Sequence, residues 1–397
     1  MDDLAAKLDA RRAQGLYRQR QTLSSPQGVR VRMGDETLLS FCSNDYLGLA
    51  NDPRVVSAFR AAAAEHGVGA GASHLITGHH AVHAALEEEL ADFVGTERVL
   101  LFSTGYMANL GVVSALTDRD GVIFEDKLNH ASLIDAARLA RAKVRRYPHI
   151  DTTWLAQRLA AEQGSKLVTT DGVFSMDGDI APLRELHALT RRYGARLLVD
   201  DAHGLGVLGN EGRGSCAVHG ITVAAPVILM GTLGKAFGVF GAFVAAEQPV
   251  IETLIQHART YIYTTALPVA VAAAVRESLR IVRAEPWRRE HLQALVQRFA
   301  EGARKLGLRL LNARTPIQPV LLGNPDTALA SSRQLRARGI LVPAIRPPTV
   351  PMGTSRLRIT LSAAHQAADV DRLLEKDRKS TRLNSSHSQQ SRMPSSA

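Results

Sequence analysis

Between Val99 and Val199 short apolar runs alternate with longer amphipathic ones. Val99–Phe102, Val122–Phe124, Val144–Tyr147, Leu167–Thr170 and Leu197–Val199 have the length of strands, not helices. Gly105–Ala115, Ala131–Ala140, Trp154–Gln163 and Leu183–Tyr193 read as helices between them. A repeated strand–helix–strand unit lays each strand parallel to the last and covers the sheet with helices. Val227–Met230 and Phe240–Ala246 add two more apolar runs. The chain is therefore expected to be α/β, with one large, mostly parallel sheet.

The pattern changes from Pro286. A helix over Arg288–Leu306, strands over Pro316–Leu321 and Arg356–Leu361, and a helix over Thr327–Arg338 predict a smaller α+β unit. Ahead of the sheet come a helix over Asp2–Arg20, a hairpin of Val29–Val31 and Thr37–Phe41, and helices over Pro53–His66 and Val82–Phe93. The glycine-rich Gly67–Ser73 is expected to be a closely packed loop. These readings divide the chain into an N-terminal helix and hairpin (1–50), an α/β domain (51–285) and an α+β domain (286–376). Residues 377–397 are serine-rich without periodicity and read as a non-native, disordered tail.

Ligands of parallel sheets gather beyond the carboxyl ends of the strands. Polar residues follow successive strands at those positions. Ser103-Thr-Gly105-Tyr106 opens a helix, whose first N–H groups suit a phosphate. Asn129-His130-Ala-Ser132, Asp171 to Ser175, and Asp200-Asp-Ala-His203 follow three later strands. Each could cap a helix; their recurrence strand after strand argues for a site.

One lysine lies in Gly231-Thr-Leu-Gly-Lys235-Ala-Phe-Gly238, between the two added apolar runs. A lysine in such surroundings needs a partner or a task. Its amine can condense with an aldehyde cofactor as a Schiff base. A nucleotide-binding phosphate loop is excluded, because Leu229 stands where it requires glycine and Ala236 where it requires Ser or Thr.

The formal charge is +10, but arginines are scattered and aromatics are only 5% of residues. No basic stripe with interleaved aromatics argues for nucleic acid. No apolar run approaches the roughly 18 residues of a membrane span. Two cysteines, Cys42 and Cys216, form no disulfide framework or metal spacing, so no metal is expected. A cytoplasmic protein is expected.

Ser43-Asn-Asp-Tyr-Leu-Gly48, Gly105-Tyr-Met-Ala-Asn109, Asn129-His130-Ala-Ser132, Asp200-Asp-Ala-His203-Gly204, Gly231-Thr-Leu-Gly-Lys235, Ile345-Arg-Pro-Pro-Thr-Val-Pro351 and Arg356-Leu-Arg358 occur in that order. From about Leu8 to Leu374 the chain resembles the α-oxoamine synthases, fold-type I pyridoxal-phosphate-dependent transferases. The resemblance implies pyridoxal 5′-phosphate as cofactor, bound to Lys235, which then serves as the base. It implies Asp200 on the pyridine nitrogen, His203 and Ser175 around the phenolic oxygen, and His130 over the ring, orienting a thioester carbonyl. Gly105, Tyr106 and Thr232 would hold the phosphate or the ring edge. Thr264 and Thr265 would reach the partner subunit's phosphate. Asn44 would assist from the partner subunit, Arg346 would clamp the amino-acid carboxylate, and Arg18 and Thr349 would line the acyl path.

Asp201 after Asp200, and Arg346-Pro-Pro, favour the biotin branch of that family. The implied reaction is an acyl transfer joining L-alanine to a pimeloyl thioester, carried by coenzyme A or an acyl carrier protein, in a homodimer with shared sites. The alternatives are a sibling enzyme, such as a glycine C-acetyltransferase, and a non-catalytic pyridoxal-phosphate binder.

Overall fold

Seven strands form the central sheet, in the spatial order Arg98–Phe102, Ala242–Ala246, Val227–Thr232, Arg196–Asp200, Lys166–Asp171, Val122–Asp126 and Lys143–Tyr147. The structure is a computed structural model and describes residues 2–14 and 16–375; the tail expected over 377–397 lies outside them. All pairings in this sheet are parallel except the two made by Ala242–Ala246. Successive side chains of a strand face opposite ways. Accordingly Leu197, Val199 and Leu229 join one core cluster, and Leu198, Ile228 and Met230 join a second across the sheet. Burying each such side chain contributes about 1.5–3 kcal/mol, and the continuous apolar runs follow from having cover on both faces.

The crossover helices begin on side-chain caps. Thr104 accepts from the Met107 amide at 3.2 Å at the start of Gly105–Leu116, and Asp151 accepts from that of Trp154 at 2.8 Å at the start of Thr152–Ala161. A cap of this kind contributes about 1 kcal/mol and sets where the loop above the sheet ends.

A second, antiparallel sheet contains Ile317–Gly323, Ser355–Thr360 and Ala344–Ile345. The N-terminal hairpin, Arg30–Met33 with Glu36–Ser40, pairs in parallel with Ile340–Leu341. Residues 41–50 then bridge from this region to the large sheet. The Thr360 amide donates to the Phe41 carbonyl and that of Ala363 to the Tyr46 carbonyl, both at 2.7 Å. Gly238, at φ +68°, backs onto the same segment, where a Cβ would collide with the backbone of Leu49 and Ala50.

The first helix is shorter than expected: it spans Asp2–Ala13, and Arg18 lies in non-helical chain. Its Leu4 and Leu8 are exposed, so no buried face supports a longer helix. Three helices not anticipated, Gln248–His257, Arg259–Ile262 and Val269–Ala284, follow the large sheet. After Gly67–Ser73 the chain makes a π-helical turn over His74–Gly78. Among the described residues no helix is long and apolar enough to cross a membrane.

Candidate active site

A cavity opens at the carboxyl ends of the parallel strands. Of the residues singled out from the sequence, Gly105, Tyr106, His130, Ser175, Asp200, His203, Thr232 and Lys235 all line it. The topology explains the convergence. Each residue sits on, or within a few positions of, the end of a strand or the start of the helix that follows.

Lys235 Nζ lies 2.9 Å from His203 Nε2. Burial draws its ammonium down to about 8, Arg358 acts in the same direction, and Asp200 and Asp171 oppose both. His203 is itself buried, and its Nδ1 lies 2.6 Å from the Tyr46 hydroxyl. While Lys235 carries its proton it can only donate, so Nε2 accepts and Nδ1–H donates to Tyr46. The Tyr46 hydroxyl passes its own proton to Asn44 Oδ1 at 3.3 Å. Burial, reinforced by the positive charge of Lys235, holds His203 neutral, with its pKa well below the ordinary range.

Asp200 is buried at the end of its strand, with Oδ1 accepting from the Ala202 amide at 3.1 Å and Oδ2 from Asn109 Nδ2 at 2.7 Å. Its register partner on the next strand is Asp171, and burial together with the Asp200 charge pushes the Asp171 carboxyl well up. Asp201 faces elsewhere. Its Oδ2 accepts from the Ser215 amide at 2.7 Å, and a Cβ at Gly172, Gly204 or Gly214 would strike its carboxylate. That enclosure leaves no room for a longer acid.

Other expected residues lie apart from the cavity. Arg18 and Thr349 are exposed, and Arg346 is half-buried in the proline-rich turn outside the lining. Thr264 and Thr265 adjoin the glycine-rich loop, where Thr265 bridges to Ser73. Asn44 meets Tyr46 and Arg358 of its own chain.

The motif Arg356-Leu-Arg358 holds a site residue that the resemblance does not single out, Arg358. It is 6% exposed, donates to the Ser175 carbonyl at 2.7 Å and to Thr360 Oγ1 at 3.0 Å, and reaches Asn44 Oδ1 at 3.3 Å. The available signal was two arginines inside one apolar strand, since arginine is seldom buried without a role.

The loop carrying Ser175 is held from behind. His149 joins Asp126 Oδ1 at 2.9 Å to Asp179 Oδ2 at 2.8 Å, its ring edge-on to Phe174. Burial opposes charge on His149, but hydrogen bonds to the two carboxylates outweigh it and raise the pKa to about 10. The stabilisation from this cation is complete below the ordinary imidazole value of 6.5 and is lost as pH rises through about 10. His149→Ala is expected to lower stability by about 2 kcal/mol at pH 7. The gap from wild type in thermal midpoint should close above the raised pKa; a gap constant with pH would refute the account.

His74, His79 and His83 bring one ring nitrogen each within 4.8 Å of one another. His83, however, accepts the His80 amide on Nδ1 at 2.9 Å and donates from Nε2 to the Leu267 carbonyl at 2.6 Å. Both its nitrogens are committed to main chain, so the cluster is a clasp between segments, not three ligands for an ion.

Comparison with known proteins decides the kinship. The aminotransferase class I and II family matches residues 36–376. An 8-amino-7-oxononanoate synthase from Nitrosococcus oceani is 58% identical over 370 residues, covering 93% of this chain and 98% of that one. The chain belongs to the 8-amino-7-oxononanoate synthase family. A solved 8-amino-7-oxononanoate synthase from Francisella tularensis is 32% identical with a TM-score of 0.77, over 87% of this chain and 98% of that one. A serine palmitoyltransferase from S. paucimobilis, with pyridoxal phosphate and myriocin bound, is 30% identical with a TM-score of 0.90, over 96% of this chain and 97% of that one.

Pyridoxal 5′-phosphate is the cofactor of this 8-amino-7-oxononanoate synthase family enzyme, and the cavity fits it. A buried carboxylate and a lysine of lowered pKa occupy one cavity, as a pyridinium and an aldehyde require. The first turn of Gly105–Leu116 meets the same space. A Cβ at Gly105 would come within 3.3 Å of Met230, so the bare backbone keeps that wall open to an anion.

Proposed function

We propose that this enzyme joins L-alanine to a pimeloyl thioester, giving 8-amino-7-oxononanoate, carbon dioxide and the free thiol, for biotin synthesis. The observation that carries this reading is the meeting of Lys235, His203 and Asp200 in one cavity of a chain so similar to that family. Bound pyridoxal phosphate supplies an aldehyde for amines and an electron-poor ring that takes up negative charge from the alanine α-carbon.

The protein does the rest. Lys235 Nζ would hold the cofactor and, once the alanine amine takes its place, would remove the α-proton. An amine with a pKa near neutrality can both release and accept that proton at working pH. The Asp200 carboxylate would keep the pyridine nitrogen protonated, His203 and Ser175 would hydrogen-bond to the phenolic oxygen, and Gly105, Tyr106 and Thr232 would hold the phosphate side. Arg358, with Asn44, takes the alanine carboxylate by a charge-assisted pair. The buried guanidinium beside Lys235 is better placed for that task than Arg346, which we assign, with Arg18 and Thr349, to the acyl path. His130 orients the thioester carbonyl.

The working form we propose is a cytoplasmic homodimer. Val68 on the glycine-rich loop, Ile76 on the turn that follows it, and Tyr263 beside Thr264 and Thr265 are exposed, a surface suited to cover by a second copy. Coenzyme A or an acyl carrier protein carries the acyl group. Purified enzyme given alanine and pimeloyl thioester should release the amino-ketone, detected by mass. Turnover only with glycine and an acetyl or succinyl thioester would assign the chain to a sibling reaction instead.

A further inference from the structure

Asn109 and Ser132 have been given no task so far, yet they connect two residues that have one. Asn109 Nδ2 donates to Asp200 Oδ2 at 2.7 Å and to Ser132 Oγ at 2.8 Å. Ser132 Oγ lies 2.8 Å from His130 Nδ1. Asn109 is fully buried and Ser132 is 1% exposed.

The direction of every proton follows from these contacts. Asn109 turns its amino group to Asp200 Oδ2, since its carbonyl oxygen there would face another oxygen, and a flipped amide is excluded. The second proton of that amino group occupies a lone pair of Ser132. The Ser132 amide donates to His130 Nδ1 at 3.3 Å, so that nitrogen is an acceptor and the Ser132 hydroxyl, 2.8 Å away, donates to it as well. A nitrogen that receives two donors carries no proton of its own. Burial, reinforced by the charge of Lys235 and opposed by that of Asp200, keeps this imidazole below its ordinary pKa. The His130 backbone amide meanwhile donates to Asp171 Oδ1 at 3.2 Å, which holds the start of the helix against the adjacent strand.

We propose that Asn109 and Ser132 are positioning residues that lock His130 as the Nε2–H tautomer and tie its ring to the Asp200 carboxylate. The tautomer follows from the contacts alone; its use in acyl transfer rests on the function proposed above. A locked Nε2–H gives the thioester carbonyl a hydrogen-bond donor of fixed orientation. The opposite tautomer would present a lone pair and repel it.

The test uses holoenzyme with nitrogen-labelled histidine and long-range proton–nitrogen spectra. Wild type should show His130 unprotonated at Nδ1 and protonated at Nε2. Ser132→Ala should give a mixture of tautomers and lower kcat roughly 10–100-fold, the usual cost of losing an outer partner of a working histidine. KM for alanine and cofactor affinity, read by titrating cofactor-free protein, should change less than about twofold. Ser132→Thr keeps the hydroxyl and should restore both tautomer and kcat. A wild-type spectrum with the proton on Nδ1 overturns the proposal, and needs no variant to fold. An unchanged tautomer with unchanged kcat in Ser132→Ala overturns it too. A protein that shows the expected tautomer but turns over no pimeloyl thioester would instead sink the assigned reaction and leave the lock standing.

Discussion

Replacing Lys235 with alanine is expected to lower turnover at least about 10⁴-fold, the upper range for loss of one positioned acid–base group. The effect is large because the proposed mechanism gives the side chain two tasks, anchoring the cofactor and moving the α-proton, and among the described residues no other amine lines the cavity. In free-energy terms the loss is about 5.5 kcal/mol. His203 would lose its contact at Nε2, but the fold should persist, since the neighbouring Leu233, Ala236 and Phe237 keep their places in the core. Visible absorbance of the purified protein, its change on adding alanine, and single-turnover rates measure the result. Retention of more than about a tenth of wild-type turnover would remove Lys235 from the mechanism.

Replacing Arg358 with alanine is expected to reduce kcat/KM for alanine roughly 10²–10³-fold, as when one partner of a buried charge pair is removed. Part of the loss comes from the substrate carboxylate, left without a counter-charge. Part comes from the site itself, because the guanidinium also holds the Ser175 carbonyl and Asn44. Arg358→Lys should recover little, since a point charge cannot reproduce the planar fork. Arg346→Ala is the control, expected to raise KM for the thioester more than KM for alanine. The reverse pattern would return the carboxylate to the proline-stiffened turn.

Much of the architecture can be read from the chain because its central strands are buried on both faces. Continuous runs such as Val227–Met230 then have no competing amphipathic reading. The core of the site was legible for a related reason. In a parallel sheet, position in sequence predicts position in space: Gly105, His130, Asp200 and Lys235 follow the ends of successive strands. Arg358, Tyr46 and Asn44 escaped that logic. They arrive from the antiparallel sheet and the bridging segment, whose docking depends on tertiary contacts such as that between Ala363 and Tyr46. The link from Asn109 through Ser132 to His130 was hidden likewise, for Asn109 and Ser132 lie 23 positions apart and meet only after two helices pack. At the N-terminus the error ran the other way: helical periodicity over Asp2–Arg20 promised more helix than an unsupported segment keeps.

The carbonyl oxygen of Asn44 serves two masters, the phenol that steadies His203 and the guanidinium of Arg358. A carboxylate docking on Arg358 competes with that oxygen for the same protons. On the function proposed above, a bound amino acid would leave that oxygen to the Tyr46 hydroxyl alone and so firm the support of His203 at the moment the lysine is displaced.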